Sequence, residues 1–269
     1  MVSPDIYMRT RLLSLLIFSL FVLGITSWET PNRMVRNEHF KPGEQYAYKV
    51  KLSFVPIGEA NVRVEPQIMY VHQRPCYKVE IIGRTTGLSD FFKVRNTYQS
   101  WVDTTTLLSH RFFYQARERE YKRDQILVFD HHRQRVRAVE KDQTQEFEVP
   151  KNVQDLISGF YFLRTLDYDQ WKPGQIITTP VFFDDELYQM KIRYAGRGSV
   201  KTKFGQLKVI KLHPILPPNK LFDGENGIRI WVSDDKNHVP VKVDVDFTVG
   251  GASMELKSYQ GNRHPFHWY

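Results

Sequence analysis

Alternation of apolar and polar residues recurs through this chain, and it confines most of it to half-buried strands. Val241, Val243, Val245 and Phe247 take one parity, while Lys242, Asp244 and Asp246 take the other. Successive side chains of a strand point to opposite faces, so such a run buries one face and wets the other. That pattern belongs to antiparallel sheet. Residues 61–65 and 77–81 alternate in the same way, and Tyr46, Tyr48 and Val50 run on through Leu52 to Phe54, with a bend or bulge expected along that strand. Residues 126–129 form a short continuous apolar run, as in a strand covered on both faces.

Turn residues separate these runs at short intervals. Lys41-Pro42-Gly43, Asp130-His131-His132, Lys172-Pro173-Gly174, Asp184-Asp185, Asp234-Asp235-Lys236-Asn237 and Gly250-Gly251 each fall between apolar segments. Many short strands with regular turns point to a sandwich or barrel. The expected fold is mostly β: a single large curved antiparallel sheet or partly open barrel with one central helix. That helix is expected over residues 152–165, with Asn152 as N-cap and Val153, Leu156, Ile157, Phe160 and Leu163 at helical spacing. A shorter turn is expected over residues 88–94. F-K-P-G-E at residues 40–44 and W-K-P-G-Q at residues 171–175 form a weak two-fold echo, each preceding a strand run.

The N-terminus sets the compartment. Residues 12–25 are an apolar run of secretory-signal length, and Arg9 and Arg11 precede it. The run is shorter than the ~20 residues of a spanning helix. The expected organisation is a signal peptide over 1–28, a single β-rich domain over 38–260 and a tail over 261–269; an uncleaved N-terminal anchor is the alternative. No cysteine follows the apolar run, so a lipoprotein anchor is not expected and the expected location is the periplasm. Cys76 is the sole cysteine, so no internal disulfide can form; in its alternating run it reads as a buried, inert thiol.

The net charge of +8 is read with export: nucleic acid is excluded as a partner, and anionic lipid head groups or envelope polymers take its place, with peripheral membrane contact; a charge that only confers solubility is the alternative. Arg133, Arg135 and Arg137 form a basic stripe if they lie on a strand and are the head-group candidates, with cross-strand charge pairing as the alternative. Aromatic residues make up 14% of the chain, and adjacent pairs such as Phe182-Phe183 put rings on both strand faces. Phe160, Ile157, Leu156, Trp101 and Phe182 are the candidates for lining an apolar ligand pocket, with plain filling of the core as the alternative. His131-His132 read as a solvated turn, and His264 and His267 have no carboxylate or cysteine close by to complete a metal site. Asp184-Asp185 and Asp234-Asp235 read as turns. No catalytic, phosphate-loop or metal-protease motif is present, and no cofactor or catalytic residue is expected.

Six segments in order resemble an exported bacterial family catalogued as domain of unknown function 3108. They are F-K-P-G-E at 40–44, I-G-E-A at 57–60, D-L-I-S-G-F-Y-F-L-R at 155–164, P-V-F-F-D-D at 180–185, K-F-G-Q-L-K-V-I-K-L at 203–212 and I-R-I-W-V-S-D-D at 228–235 before Val239-Pro240. The family implies no activity and therefore no site residues. The C-terminal strands are more faintly similar to periplasmic lipoprotein carriers (LolA/LolB-like folds), whose curved sheet is plugged by helices and receives acyl chains. That likeness implies binding of a lipid or other apolar envelope component without catalysis. An envelope hydrolase with a site assembled from distant residues, or a scaffold subunit of an envelope complex, are the alternatives.

Overall fold

The computed structural model describes residues 33–215 and 227–269; the expected signal peptide lies outside the described residues. Among these, fifteen strands join in one antiparallel sheet. They are β1 (Gln45–Leu52), β2 (Val55–Val64), β3 (Met69–Val71), β4 (Arg74–Thr85), β5 (Arg95–Asp103), β6 (Ser109–Glu118), β7 (Tyr121–Asp130), β8 (Arg135–Glu140), β9 (Gln143–Glu148), β10 (Ile176–Phe183), β11 (Glu186–Thr202), β12 (Gly205–Ile215), β13 (Ile228–Ser233), β14 (Pro240–Asp246) and β15 (Gly251–Gln260). The sheet is two meanders, β1 to β9 and β10 to β15, fused where β1 pairs with β15. Its outer strands are therefore β9 and β10. The one α-helix described, α1 (Leu156–Leu163), lies on the connection between them.

The sheet curls so that its two edges meet without pairing. Phe147 of β9 packs on Phe182 of β10 with ring centroids 5.0 Å apart. Arg123 of β7 reaches the β10–β11 turn, holding Asp185 at 3.1 Å and Asp184 as well. That turn, read as a turn from sequence, has φ of 54° and 60° at Asp184 and Asp185, the two-residue form whose twist suits a hairpin. The apolar faces enclose one core of Phe40, Val79, Phe112, Leu127, Ile157, Tyr161 and Phe182, with two further clusters around Tyr48 and Tyr194.

Two boundaries differ from the sequence reading. The Tyr46-to-Phe54 run is not one strand: β1 stops at Leu52, and Phe54 stands on the turn to β2, although β1 does shift register against β15 between Ala47 and Tyr48. The helix is shorter, and its N-cap is Asp155, not Asn152. Gln154 is drawn into sheet pairing instead, its N–H donating to Pro180 O at 2.9 Å and its carbonyl accepting from Phe182 N–H at 2.8 Å. Asp155 then accepts from the Ser158 N–H at 2.7 Å while Ser158 Oγ accepts from the Asp155 N–H at 3.0 Å, a reciprocal cap. A 3₁₀ turn occupies Gly87–Phe92.

The two-fold echo has a structural counterpart. Gly43 and Gly174 both have positive φ, 85° and 97°, which glycine adopts without steric cost. The Gly43 N–H donates to Val64 O of β2, and the Gly174 N–H donates to Tyr194 O of β11. Each motif therefore tucks the start of a meander against its own second strand.

Residues 261–269 fold onto the sheet. Phe266 is buried against Tyr259, Trp268 Nε1 donates to Tyr259 Oη at 2.9 Å, and the backbone of Tyr269 pairs with that of Gln206.

Candidate functional site

Strand pairing sorts the connections between two ends of the sheet. At the helix end lie the described start of the chain, both ends of α1 and residues 261–269. At the hairpin end lie the turns at 53–54, 86–94, 119–120, 141–142, 184–185 and 247–250.

The helix end is built around a buried ion pair. Arg164, 2% exposed in its side chain, meets Glu44, 0% exposed, with Nη1 donating to Oε1 at 2.5 Å and Nη2 to Oε2 at 3.2 Å. Tyr161 Oη and Tyr46 Oη each donate to Glu44 at 3.0 Å, and Arg164 Nε donates to Asn237 O at 3.0 Å. Burial alone pulls the Arg164 pKa down, but the Glu44 carboxylate outweighs it and the guanidinium stays charged. Both Glu44 oxygens accept from Arg164 and a tyrosine hydroxyl, and each Arg164 nitrogen has an acceptor, so the pair is tolerated in the core and either group alone would be a costly buried charge.

A cleft of about 480 Å³ opens beside this network, with His39, His238, Asp167 and Asp235 among its walls. The two histidine rings stack 4.9 Å apart. Burial, then His238 and Arg164, push His39 down to about 4. At the other histidine cluster, Asp103 accepts from the Thr105 and Thr106 N–H groups, from Arg74 Nε at 2.8 Å, and lies 3.0 Å from His110 Nε2. Burial pushes its carboxyl up, but these bonds hold it well below the usual range. His131 is half-buried, its Nε2 2.6 Å from Ser109 O, and burial pushes it down to about 4; the solvated turn expected at 131–132 is thus corrected at His131. The rings of His110, His131, His238 and His264 face Asp103 or backbone carbonyls, not a nucleophile in need of a base. Among the described residues no group of three or more histidine, cysteine, aspartate or glutamate side chains could hold a metal. Cys76 is buried, and burial and then Asp103 push its thiol up to about 12.

The pocket-lining candidates divide. Ile157 and Phe182 are fully packed in the main core cluster, and Phe160 packs at its margin, 6.1 Å edge-on from Tyr161. Leu156 is 39% exposed. Trp101 lies elsewhere, flanked across the sheet by Lys78 of β4 and Arg111 of β6, whose charged groups sit 5.2 and 5.1 Å from its ring. Tyr161, absent from the sequence stripe, is the helix's largest fully buried side chain. Of the head-group candidates, Arg133 lies in the β7–β8 turn beside Asp130, and Arg135 pairs with Glu146 and Glu148 of β9 at 3.2 and 3.4 Å. Arg137 stands opposite Glu146 in the same ladder. Cross-strand pairing, the alternative read from sequence, is what the geometry shows for Arg135.

The hairpin end carries what the sequence reading passed over. Phe54 on the β1–β2 turn is 97% exposed and Val55 60%, and Val249 on the β14–β15 turn is 90% exposed. The two turns are neighbours, since the Ser53 N–H donates to Gly251 O at 2.6 Å. On the other side of β2, Arg84, Lys93 and Arg95 surround a cleft with a single carboxylate, Asp90, and its loop is tied to β2 by the Thr86 N–H donating to Ile57 O. Lone exposed apolar residues are ordinary, but here the two most exposed share one end of adjacent hairpins with a cationic margin. The available signal was Phe54 itself, an aromatic at a Ser-Phe step closing one strand.

The family model for proteins of unknown function numbered DUF3108 matches residues 47–257. The chain belongs to that family. No curated protein matches it. The DUF3108 chain is similar in fold to a β-barrel-like protein of the DUF1849 group from Brucella abortus, at 9% identity and a TM-score of 0.51, covering 81% of this chain and 97% of the other. A Bacteroides fragilis protein, provisionally named as exported with a YmcC-like fold, aligns at 13% identity and a TM-score of 0.31 over 82% and 99% of the two chains. A Parabacteroides distasonis protein aligns at 9% identity and 0.35 over 84% and 100%. The first likeness supports the open, barrel-like β fold read from the DUF3108 sequence; the other two are too loose to carry an argument.

Proposed function

We propose that this chain is an exported, non-catalytic envelope protein that binds lipid, and that it does so by seating its hairpin end on an anionic lipid surface. The observation that carries this reading is the pairing of Phe54 and Val249 on adjacent turns. Apolar tips of this kind lose water-exposed area on entering the head-group boundary, at about 25 cal/mol per Å², and basic neighbours add attraction to anionic lipid. Lys93 and Arg95 supply those neighbours, with Arg84 shared with Glu59 at 3.6 Å. Export rests on Arg9, Arg11 and the apolar run at 12–25.

The core gives less support to an acyl-chain pocket around α1, because Ile157 and Phe182 are already packed by side chains. It gives the hydrolase reading less support still, since the rings of His110, His131, His238 and His264 face carbonyls or Asp103. Co-sedimentation with phosphatidylglycerol vesicles tests the proposal. The wild type should pellet with them, and Phe54→Asp with Val249→Asp should remain in the supernatant while keeping its thermal transition. Equal pelleting of both proteins overturns docking through the tips. Cell fractionation tests export: a native full-length cytoplasmic form would contradict it.

A further inference from the structure

A second basic feature lies away from the hairpin tips, in a cleft of about 540 Å³ between the end of the β11–β12 hairpin and strands β1, β14 and β15. Lys201 and Lys203 form one wall; Lys49, Lys242 and Lys257 form the other, with Glu255 as the one carboxylate among the lining residues. Glu255 stands opposite Lys49 on one side and opposite Lys242 on the other in the strand ladder. Its charge is taken by Lys51, whose Nζ lies 2.8 Å from Oε2. Lys242 pairs with Asp244 at 2.8 Å, and Lys257 pairs with Glu59. Lys203 rests over the Phe204 ring at 4.9 Å. Among the described residues no carboxylate pairs with Lys49, Lys201 or Lys203.

Three unneutralised ammonium groups facing one recess repel each other. A cleft walled by one sign of charge focuses its field on an incoming anion, and lysine is a point-charge binder of phosphate oxygens. A single exposed ion pair contributes little, so one phosphate on one wall would be held weakly. An anion with several charges can engage both walls at once. We propose that this cleft binds a ligand carrying two or more closely spaced phosphate groups, with Lys201 and Lys203 closing on it from the hairpin and Lys49 from the sheet. The site is separate from the hairpin tips and does not depend on the docking reading. The same chemistry is presented by a soluble polyphosphate and by a doubly phosphorylated lipid head group.

Titration calorimetry with inorganic tripolyphosphate, and co-sedimentation with cardiolipin-containing vesicles, separate these sources. The Lys201→Glu, Lys203→Glu protein is compared with Lys122→Glu, Lys172→Glu, which makes the same change in net charge at exposed lysines outside the cleft. Lys201→Gln, Lys203→Gln serves as a milder second variant, and thermal transitions establish that each folds. The wild type should bind at least one of the two probes saturably, with the glutamate pair weakening it by roughly tenfold or more and the control pair by no more than about twofold. Saturation with tripolyphosphate indicates a head group recognised in solution, and a response to vesicles alone indicates a membrane-borne one. Equal weakening by the control pair, or saturation with neither probe, overturns the proposal.

Discussion

Arg164 and Glu44 stand 120 residues apart in sequence and meet as a bidentate ion pair with almost no exposure to water. One comes from the end of the helix and the other from the residue before β1, so the pair ties the edge connection of the sheet to its middle. It also fixes Tyr46 and Tyr161, which share the same carboxylate.

Arg164→Met strands the Glu44 carboxylate with only two tyrosine hydroxyls. The expected loss is about 3–5 kcal/mol in urea unfolding. Tyr161→Phe keeps the pair and removes one charge-assisted bond, for an expected loss of about 1.5–3 kcal/mol. Similar midpoints for Arg164→Met and wild type would show that the pair is dispensable.

On the helix, neighbouring positions should separate sharply. Ile157→Ala empties part of the main core and is expected to cost about 2–5 kcal/mol. Leu156→Ala, at a 39% exposed position, should stay within about 0.5 kcal/mol. Equal costs would mean that the helix is rotated from the described orientation.

His39 and His131 are both pushed down to about 4, against about 6.5 in the unfolded chain. The unfolded state therefore binds more protons between those values, and stability falls as pH drops through that window. The slope is at most about 1.4 kcal/mol per pH unit for each histidine. Denaturation at pH 7.5 and at pH 5 should show the loss, and His131→Asn should reduce it. An unchanged slope would mean that His131 is not buried as described.

Cys76 should resist thiol reagents in the folded protein and react on unfolding, because burial both covers it and holds its thiol near 12. Fast labelling of the native protein would contradict its position against Arg74 O.

The strands and turns were legible because alternation is a local signal: Tyr46 and Tyr48 announce a buried face without knowledge of what covers it. The helix was legible in existence but not in phase. Gln154 pairs with a strand that begins more than twenty residues later, and no local pattern encodes that pairing, so the cap fell on Asn152 and Tyr161 was left off the helical stripe. The arginine stripe was legible as a stripe, but its partners Glu146 and Glu148 become apparent only once the β8–β9 register is known. The lysine cleft gathers residues from four strands and a turn, and single-sequence spacing carries no trace of that. Phe54 was visible throughout; its meaning depended on β1 ending two residues earlier.

Docking through the hairpin tips is tested most directly by placing a reporter on Phe54. Since Cys76 is buried, Phe54→Cys can be labelled selectively with an environment-sensitive fluorophore, with Lys172→Cys labelled at the helix end as the control. On addition of phosphatidylglycerol vesicles the label at 54 should shift to the blue and become accessible to quenchers within the bilayer, while the label at 172 should not change. Spectra that do not change at position 54, or that change equally at both positions, would contradict docking through this end of the sheet.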